Sequence, residues 1–502
     1  MSAFIFCKSR SLSALPSEAH EKLKINLLQQ EIIGSNYFFW NKDCSQQLNS
    51  SNHLILFKGR IDNLSEISRS EGLKNTPTLF VISHLFTKYG LNFSEKIIGS
   101  FSILIFDRLK LEVLCITDSM ASCPIYYSED KDIALFSTEL NLLKNYNKRN
   151  EIDNDILLDY LAYSYPRKGR TIYKYINVLK PGEAILCKNT VTEKSFYNKF
   201  RTDFNYKLSF EDVTEQFKEI LTCVLDEQLK SAGDKPSFSL SGGLDSSSIV
   251  CLANKITKKN IDTYSAIFPL NSQIDFSKAD ESRYIEKVNS SIRCNSTYHQ
   301  WLSFDYLNQL EFSSTFSEPM FGSSTYINKK ILESASSAGS SSHFEGSFGD
   351  EIISHGYEKL IYLGKKMNFA DLFKEEKLLK NNRGLKFSRW GSIKNHFLKP
   401  LMPIIIQELF FKIKNTHFKY PIEHVFHDDL NIDVVQRFRK NNDYHPFLNS
   451  FTTNEKLHSR VVNESVISYA ARLYGELGDK FGIQYYLPFL DKRIVSFCLN
   501  VP

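Results

Sequence analysis

Residues Phe238–Val250 read FSLSGGLDSSSIV. A short apolar lead-in meets two glycines, an aspartate and a serine cluster, and then apolar residues resume. Adjacent glycines at a strand-to-helix turn let the backbone approach a ligand closely and adopt conformations closed to other residues. The free N–H groups and dipole of the following helix favour an anion there. Serine hydroxyls add donors, and an aspartate beside a phosphate site points to Mg²⁺. The segment therefore has the parts to hold a pyrophosphate and its metal. It is not a Walker loop, since no Gly-Lys-Ser/Thr follows and the glycines are adjacent. A tight turn capping a helix, with Asp245 as a solvated first-turn acid, is the plainer alternative.

Outward from this loop the pattern alternates. A helix over Phe210–Ala232 leads into the strand, and a helix follows from about Ser247. Then come a strand at IDTYSAIF (Ile261–Phe268), a helix at Asp280–Ser291 and a short strand at STYHQWL (Ser296–Leu302). Strand alternating with helix predicts a parallel sheet. The serine-rich Ser334–Phe344 reads as a helix end and loop, and from Lys359 onward the pattern is mostly helical. Upstream the chain differs. NHLILFKGRI, SFSILIFDR, LEVLCITD and IALFSTEL are short β-rich runs with polar turns, which suggests an antiparallel sheet with a helix over Thr78–Gly90. Ile152–Ser164 reads as helix, Thr171–Tyr197 as a loop and hairpin, and Asn198–Ser209 as a linker.

Composition bounds the function classes. The 502 residues suffice for two or three domains, and a formal charge of +5 indicates neither a nucleic-acid nor a membrane-surface role. Nine cysteines without a CxxC pair read as reduced thiols of a cytoplasmic protein. The start of the chain has no secretory pattern. The apolar run Leu401–Phe411 holds Pro403 and Glu408, is too short to span a bilayer, and reads as a buried helix.

LSGGLDSSS resembles the pyrophosphate loop of ATP pyrophosphatases, specifically that of the asparagine synthetase family. Other stretches agree in order. Ile97–Asp107 and Ile116–Leu143 resemble the core of the family's glutaminase-like domain, and Thr171–Ile185 its interdomain hairpin. EGSFGDEIISHGY (Glu345–Tyr357) resembles its second phosphate and metal motif, and Phe481–Pro502 its late helix and loop. The resemblance implies an α/β and α+β chain in two domains. Residues 1–200 would form an N-terminal αββα sandwich of the Ntn type, and 201–502 a Rossmann-like ATP-pyrophosphatase domain. It also implies adenylation of a carboxylate by ATP with Mg²⁺, followed by amine attack on the acyl-adenylate. Ser241, Gly242, Gly243 and Ser246 would cradle pyrophosphate, and Asp245 and Asp350 would hold the metal. Leu240, Ala266 and Gly346 would surround the adenosine, although Leu240 and Ala266 also suit ordinary strand core.

The departures from the family are informative. Glutamine-hydrolysing members carry a cysteine after the initiator methionine, and here that residue is Ser2; Cys7 inside the chain has no terminal amine to activate it. The family's Asn-Gly is Lys58-Gly59, and NTPTL (Asn75–Leu79) replaces its acidic glutamine-binding motif. A degenerate glutaminase domain follows. Aligned on Asp350, the family's ammonia-side glutamate is Ser347, Phe348 stands at a glycine, and Glu345 lies too early in the chain to substitute simply. A serine is not a general base unaided near neutral pH.

Relatives lacking both residues include lasso-peptide cyclases, so a macrolactam synthetase acting on a precursor peptide, with a leader-peptide-handling protein as possible partner, ranks above a synthetase acting on aspartate. A weakened nucleotide-binding scaffold is the alternative of another class. His355 in SHGY is a minor site candidate. The family continues beyond this point into a basic segment bearing an adenylation lysine. Either the sequence is shortened, or that lysine is missing, or another such as Lys492 stands in. His424 and His427 read as loop histidines.

Overall fold

The computed structural model describes residues 4–9, 29–33, 36–40, most of 46–398, and 401, 462 and 465–501. Ser2, most of the linker expected over residues 198–209, His355, the apolar run beyond Leu401, and His424 and His427 lie outside the described residues.

The N-terminal strands are β1 (Phe4–Ser9), β2 (Gln29–Ile33), β3 (Asn36–Trp40), β4 (Gln46–Asn49), β5 (His53–Ile61) and β6 (Gly99–Asp107). They continue with β7 (Glu112–Thr117), β8 (Tyr126–Glu129), β9 (Ile133–Ser137), β10 (Asn177–Val178), β11 (Glu183–Lys188) and β12 (Val191–Phe196). Two six-stranded sheets result, ordered β10-β8-β9-β1-β3-β2 and β12-β11-β7-β6-β5-β4, with antiparallel pairing throughout. Alternation explains how they stack. Leu54, Leu56, Leu104 and Phe106 share one core with Phe6, Phe38 and Phe136 of the facing sheet. Their neighbours Ile55, Phe57, Ile103 and Ile105 point the other way, onto Val81, Ile82 and Leu85 of α1 (Thr78–Tyr89). Helix α2 (Leu140–Asn145) packs on β8 and β9. The Ile152–Ser164 helix is α3 (Asn154–Tyr163), and its Ile156 and Tyr160 join a core of the other domain.

Helix α4 (Phe210–Ser231) opens with a capping box between Ser209 and Asp212. Beyond it lie β13 (Ser237–Ser239), α5 (Leu244–Thr257), β14 (Ile261–Ile267), β15 (Cys294–Gln300) and β16 (Ser342–Phe344). They are followed by α6 (Gly349–Ile353), α7 (Ser465–Phe481), β17 (Gln484–Tyr486) and α8 (Lys492–Asn500). The five strands form a parallel sheet ordered β15-β14-β13-β16-β17. Two sequence expectations are corrected here. The Ser334–Phe344 segment supplies strand β16 rather than only a loop, and the helix and loop expected over Phe481–Pro502 enclose β17. Both strands are too short and too mixed in polarity to show a period. Stacked rings hold them: Phe238–Phe344 at 5.0 Å and Phe344–Tyr486 at 4.6 Å. Strand order reverses between β13 and β16, which opens a crevice at their carboxyl ends.

A buried ion pair joins the halves of this domain. Arg472 of α7 donates to Glu318 at 3.2 Å, and the Tyr160 hydroxyl of α3 donates to the same carboxylate at 3.0 Å. Removing one partner strands a charge, so Arg472→Met is expected to lower unfolding stability by about 3–5 kcal/mol in denaturant titration. A change below about 1 kcal/mol would show that the carboxylate is not stranded. Among the described residues no helix is long and apolar enough to cross a membrane, and the cysteines from Cys115 to Cys498 are free thiols.

Candidate active site

The loop after β13 is a tight turn held by its own hydroxyls, with the Gly243 N–H donating to Ser241 Oγ at 3.3 Å. Gly242 has φ of +87°, and a Cβ there would lie 3.1 Å from the Glu281 carbonyl oxygen, so glycine is required. Ser246 folds back on the loop: its Oγ accepts from the Ser241 N–H at 3.1 Å and pairs with Ser241 Oγ at 2.9 Å. Gly243 stands at the N-cap of α5 and has no side chain to cap it, in contrast to the capping box of α4. The first-turn N–H groups of α5 have no intrahelical acceptor. Ser247 Oγ is buried without a hydrogen-bond partner among the described residues.

The loop after β16 closes directly on the first. A Cβ on Gly346 would stand 2.6 Å from the Ser246 nitrogen, and one on Gly349 would stand 2.2 Å from the Asp245 carboxylate. Asp350, in the first turn of α6, thereby comes near Asp245. Burial pushes the Asp245 carboxyl above the usual range, and repulsion from Asp350 and Glu351 adds to it. Crowded acids beside open N–H donors suit a divalent cation shared with phosphate oxygens. Among the described residues no group of three or more His, Cys, Asp or Glu could hold a metal by itself.

Of the residues singled out in the sequence, Leu240, Ser241, Gly242, Gly243, Asp245, Ser246, Gly346, Ser347 and Asp350 lie on these two loops. Leu240 is fully buried and donates its N–H to the Tyr264 carbonyl at 2.9 Å. Ala266 lies near the carboxyl end of the neighbouring β14, in register with His299, and packs against an apolar cluster.

Sequence reasoning missed what stands behind Ser347. Its Oγ is 2.9 Å from the hydroxyl of Tyr474 on α7, and the ring of Tyr474 meets Phe348 at 6.1 Å and Tyr485 at 5.1 Å. Phe348 occupies φ of +75°, a left-handed backbone held by a bulky residue where the family pattern has glycine. Burial pushes the Glu345 carboxyl up, against hydrogen bonds from Ser239 and the Gly346 N–H. His343, fully buried between Ser237 and Ser239, is pulled down to about 3 by desolvation and stays neutral. No local spacing announces these tertiary contacts.

The N-terminal domain places Lys58 and Gly59 elsewhere, on a cavity of about 530 Å³ between the domains that is also lined by Cys123, Glu139 and Asp479. Lys58 donates to Asp479 at 2.7 Å. The Cys123 thiol is pushed up to about 11 by burial, so it is not a ready thiolate. Cys7 lies within β1, opposite Tyr37 and Leu135. Lys492, which also lines the cavity, donates to the Glu95 carbonyl at 3.2 Å.

A parallel sheet with a glycine-serine loop and a second acidic loop at its reversal point defines an ATP-pyrophosphatase domain. The glutamine amidotransferase domain profile matches residues 41–198, and the asparagine synthase profile matches residues 216–502. The chain belongs to the asparagine synthase family. It is 24% identical over 330 residues to a putative glutamine-hydrolysing asparagine synthetase of Methanocaldococcus jannaschii, covering 64% of this chain and 61% of that protein. It is 27% identical over 244 residues to a glutamine-hydrolysing asparagine synthetase of Bacillus subtilis, covering 45% of this chain and 32% of that one. It thus spans less than two thirds of the length of these relatives. Among solved structures, the glutamine phosphoribosylpyrophosphate amidotransferase of B. subtilis aligns over 52% of this chain and 65% of its own, with 9% identity and a TM-score of 0.28.

Proposed function

We propose that the chain is an ATP- and Mg²⁺-dependent carboxylate–amine ligase whose synthetase domain begins near residue 201 and whose glutaminase-like domain does not hydrolyse glutamine. The observation that carries this is the convergence of Asp245 and Asp350 beside an uncapped helix start. Asp245 and Asp350 would hold the magnesium, which when bound neutralises phosphate charge. Ser241, Gly242, Gly243 and Ser246 hold the β- and γ-phosphates through backbone and hydroxyl donors. Leu240, Ala266 and Gly346 flank the adenosine. A carboxylate oxygen attacks the α-phosphorus, the bond to the β-phosphate oxygen breaks, and pyrophosphate leaves against donors already aimed at it. An amine then attacks the acyl carbon, AMP departs, and the amine loses a proton.

Ser347 lies on the amine side in this scheme, with Tyr474 hydrogen-bonded behind it. A hydroxyl pair in place of a glutamate favours an amine other than ammonia. The specialised form is therefore a peptide macrolactam synthetase, its precursor delivered by a leader-peptide-handling protein. The names of the curated relatives favour free aspartate as the carboxylate. Exchange of labelled pyrophosphate into ATP tests both. Exchange dependent on aspartate returns the chain to asparagine synthesis, and exchange dependent only on Asp- or Glu-containing peptides upholds the specialised ligase. No exchange from folded protein with any carboxylate rejects ligase activity. Ser347→Ala is expected to keep exchange near wild type while slowing amide formation about tenfold, the worth of one hydrogen bond made as the amine reacts. Equal loss in both assays would move Ser347 to the adenylation step.

A further inference from the structure

Strand β5 carries Lys58 and Arg60 on one face, and both reach into the other domain. Lys58, 12% exposed, meets Asp479 of α7 at 2.7 Å. The Arg60 guanidinium donates to the Tyr485 carbonyl of β17 at 3.1 Å and to Asp62 at 2.8 Å. It also stacks 3.9 Å from the centre of the Tyr486 ring. Asp62 in turn accepts from Gln228 of α4 at 3.3 Å. Gly59 between them has φ of +105°, and a Cβ there would stand 2.1 Å from the Ser100 carbonyl oxygen, so the strand is pinned to β6 where the two cations leave it.

Both gripped elements support Ser347. Helix α7 carries Asp479 and also Tyr474, whose hydroxyl is 2.9 Å from Ser347 Oγ. Strand β17 carries Tyr485, whose ring lies 5.1 Å from that of Tyr474. Buried ion pairs are a poor source of stability compared with apolar packing, and their best-attested use is to fix register. We propose that Lys58 and Arg60 are positioning residues for the synthetase centre: by holding α7 and β17 they set Tyr474 against Ser347, and this is the task left to the N-terminal domain. Lys58, which departs from the glutamine-hydrolysing pattern, thus serves the other domain.

The consequence for turnover rests on the ligase proposed above; the geometric claim does not. The full chain is prepared with 3-fluorotyrosine at position 474 and read by ¹⁹F NMR, with Ser347→Ala giving the resonance that marks a broken Tyr474 contact. Lys58→Met and Asp479→Asn are each expected to move the resonance toward that value, and the exchanged pair Lys58→Glu with Asp479→Lys to return it. Nucleotide affinity, measured with ATP and Mg²⁺, is expected to stay within about twofold, because among the described residues the side chains of Lys58, Arg60 and Asp479 bond each other, Asp62 and Tyr485 and not the Ser241–Ser246 loop. If the chain exchanges pyrophosphate, amide turnover in the single variants falls by up to about tenfold, the loss expected of Ser347→Ala. An unmoved resonance in the single variants overturns the proposal. So does a shift that the exchanged pair does not reverse, since packing and not the ion pair would then be responsible. Arg60→Met provides a second variant should Lys58→Met fail to fold. A chain that activates no carboxylate would still give the NMR result.

Discussion

Asp350→Asn is expected to lower ATP–pyrophosphate exchange about a thousandfold while leaving the fold intact. Asp350 is exposed in the first turn of α6 and adds to the repulsion that holds the Asp245 carboxyl up. Replacing it removes a repulsion from the nucleotide-free protein, so the melting temperature should hold or rise slightly. Function moves the opposite way. In the proposed site, losing one of two protein carboxylates on a cation that would neutralise a leaving pyrophosphate is worth several kcal/mol. At about 1.4 kcal/mol per factor of ten, about 4 kcal/mol gives the thousandfold loss. Opposed signs in stability and activity mark a residue kept for its chemistry. The measurement pairs an exchange assay with a thermal melt in the absence of nucleotide. Exchange within tenfold of wild type would remove Asp350 from the metal site. A melting temperature that falls by many degrees would mean the carboxylate has a structural partner.

The strand–turn–helix around Gly242–Gly243 was legible in the sequence because its signal is local: glycines, acid and hydroxyls follow one another across a strand, a turn and a helix start. The sandwich strands were legible for a related reason. Leu54 and Ile55, or Leu104 and Ile105, face opposite apolar layers, so β5 and β6 read as continuous apolar runs. Strand β16 was not legible, because SHF gives no period and its place is fixed by rings from β13 and β17. The departure at Phe348 could be read from the residue order, but its left-handed backbone and its contact with Tyr474 could not. The pairing of Lys58 with Asp479 joins residues separated by 421 positions, and no window along the chain connects them. Lys58-Gly59 therefore read only as a loss of the oxyanion motif, whereas the fold gives the same residues a new contact.

Gly346→Ala is expected to weaken binding of ATP with Mg²⁺ about a hundredfold or more, and it separates a steric requirement from a conformational one. Gly346 does not have a positive φ, so alanine suits its backbone. The obstacle is space: the added Cβ would stand 2.6 Å from the Ser246 nitrogen, 2.7 Å from its Cα and 3.0 Å from the Asp245 carbonyl carbon. These atoms are backbone and cannot rotate away, so the two loops must part. Overpacking of this kind costs about 1–3 kcal/mol of stability. The larger effect falls on the donors of the phosphate loop, where a misplacement of about 1 Å costs about a hundredfold. Gly339→Ala supplies the contrast. Gly339 has φ of +87° and open space for 4 Å around the position a methyl would take, so alanine there strains the backbone by about 1–2 kcal/mol without touching the site. Both variants should unfold at lower denaturant, and only Gly346→Ala should lose nucleotide. Equal nucleotide affinity in the two would mean that the contact between the loops is not what shapes the phosphate site, and the proposed places of Gly346 beside the adenosine and Asp245 beside the metal would both have to be given up.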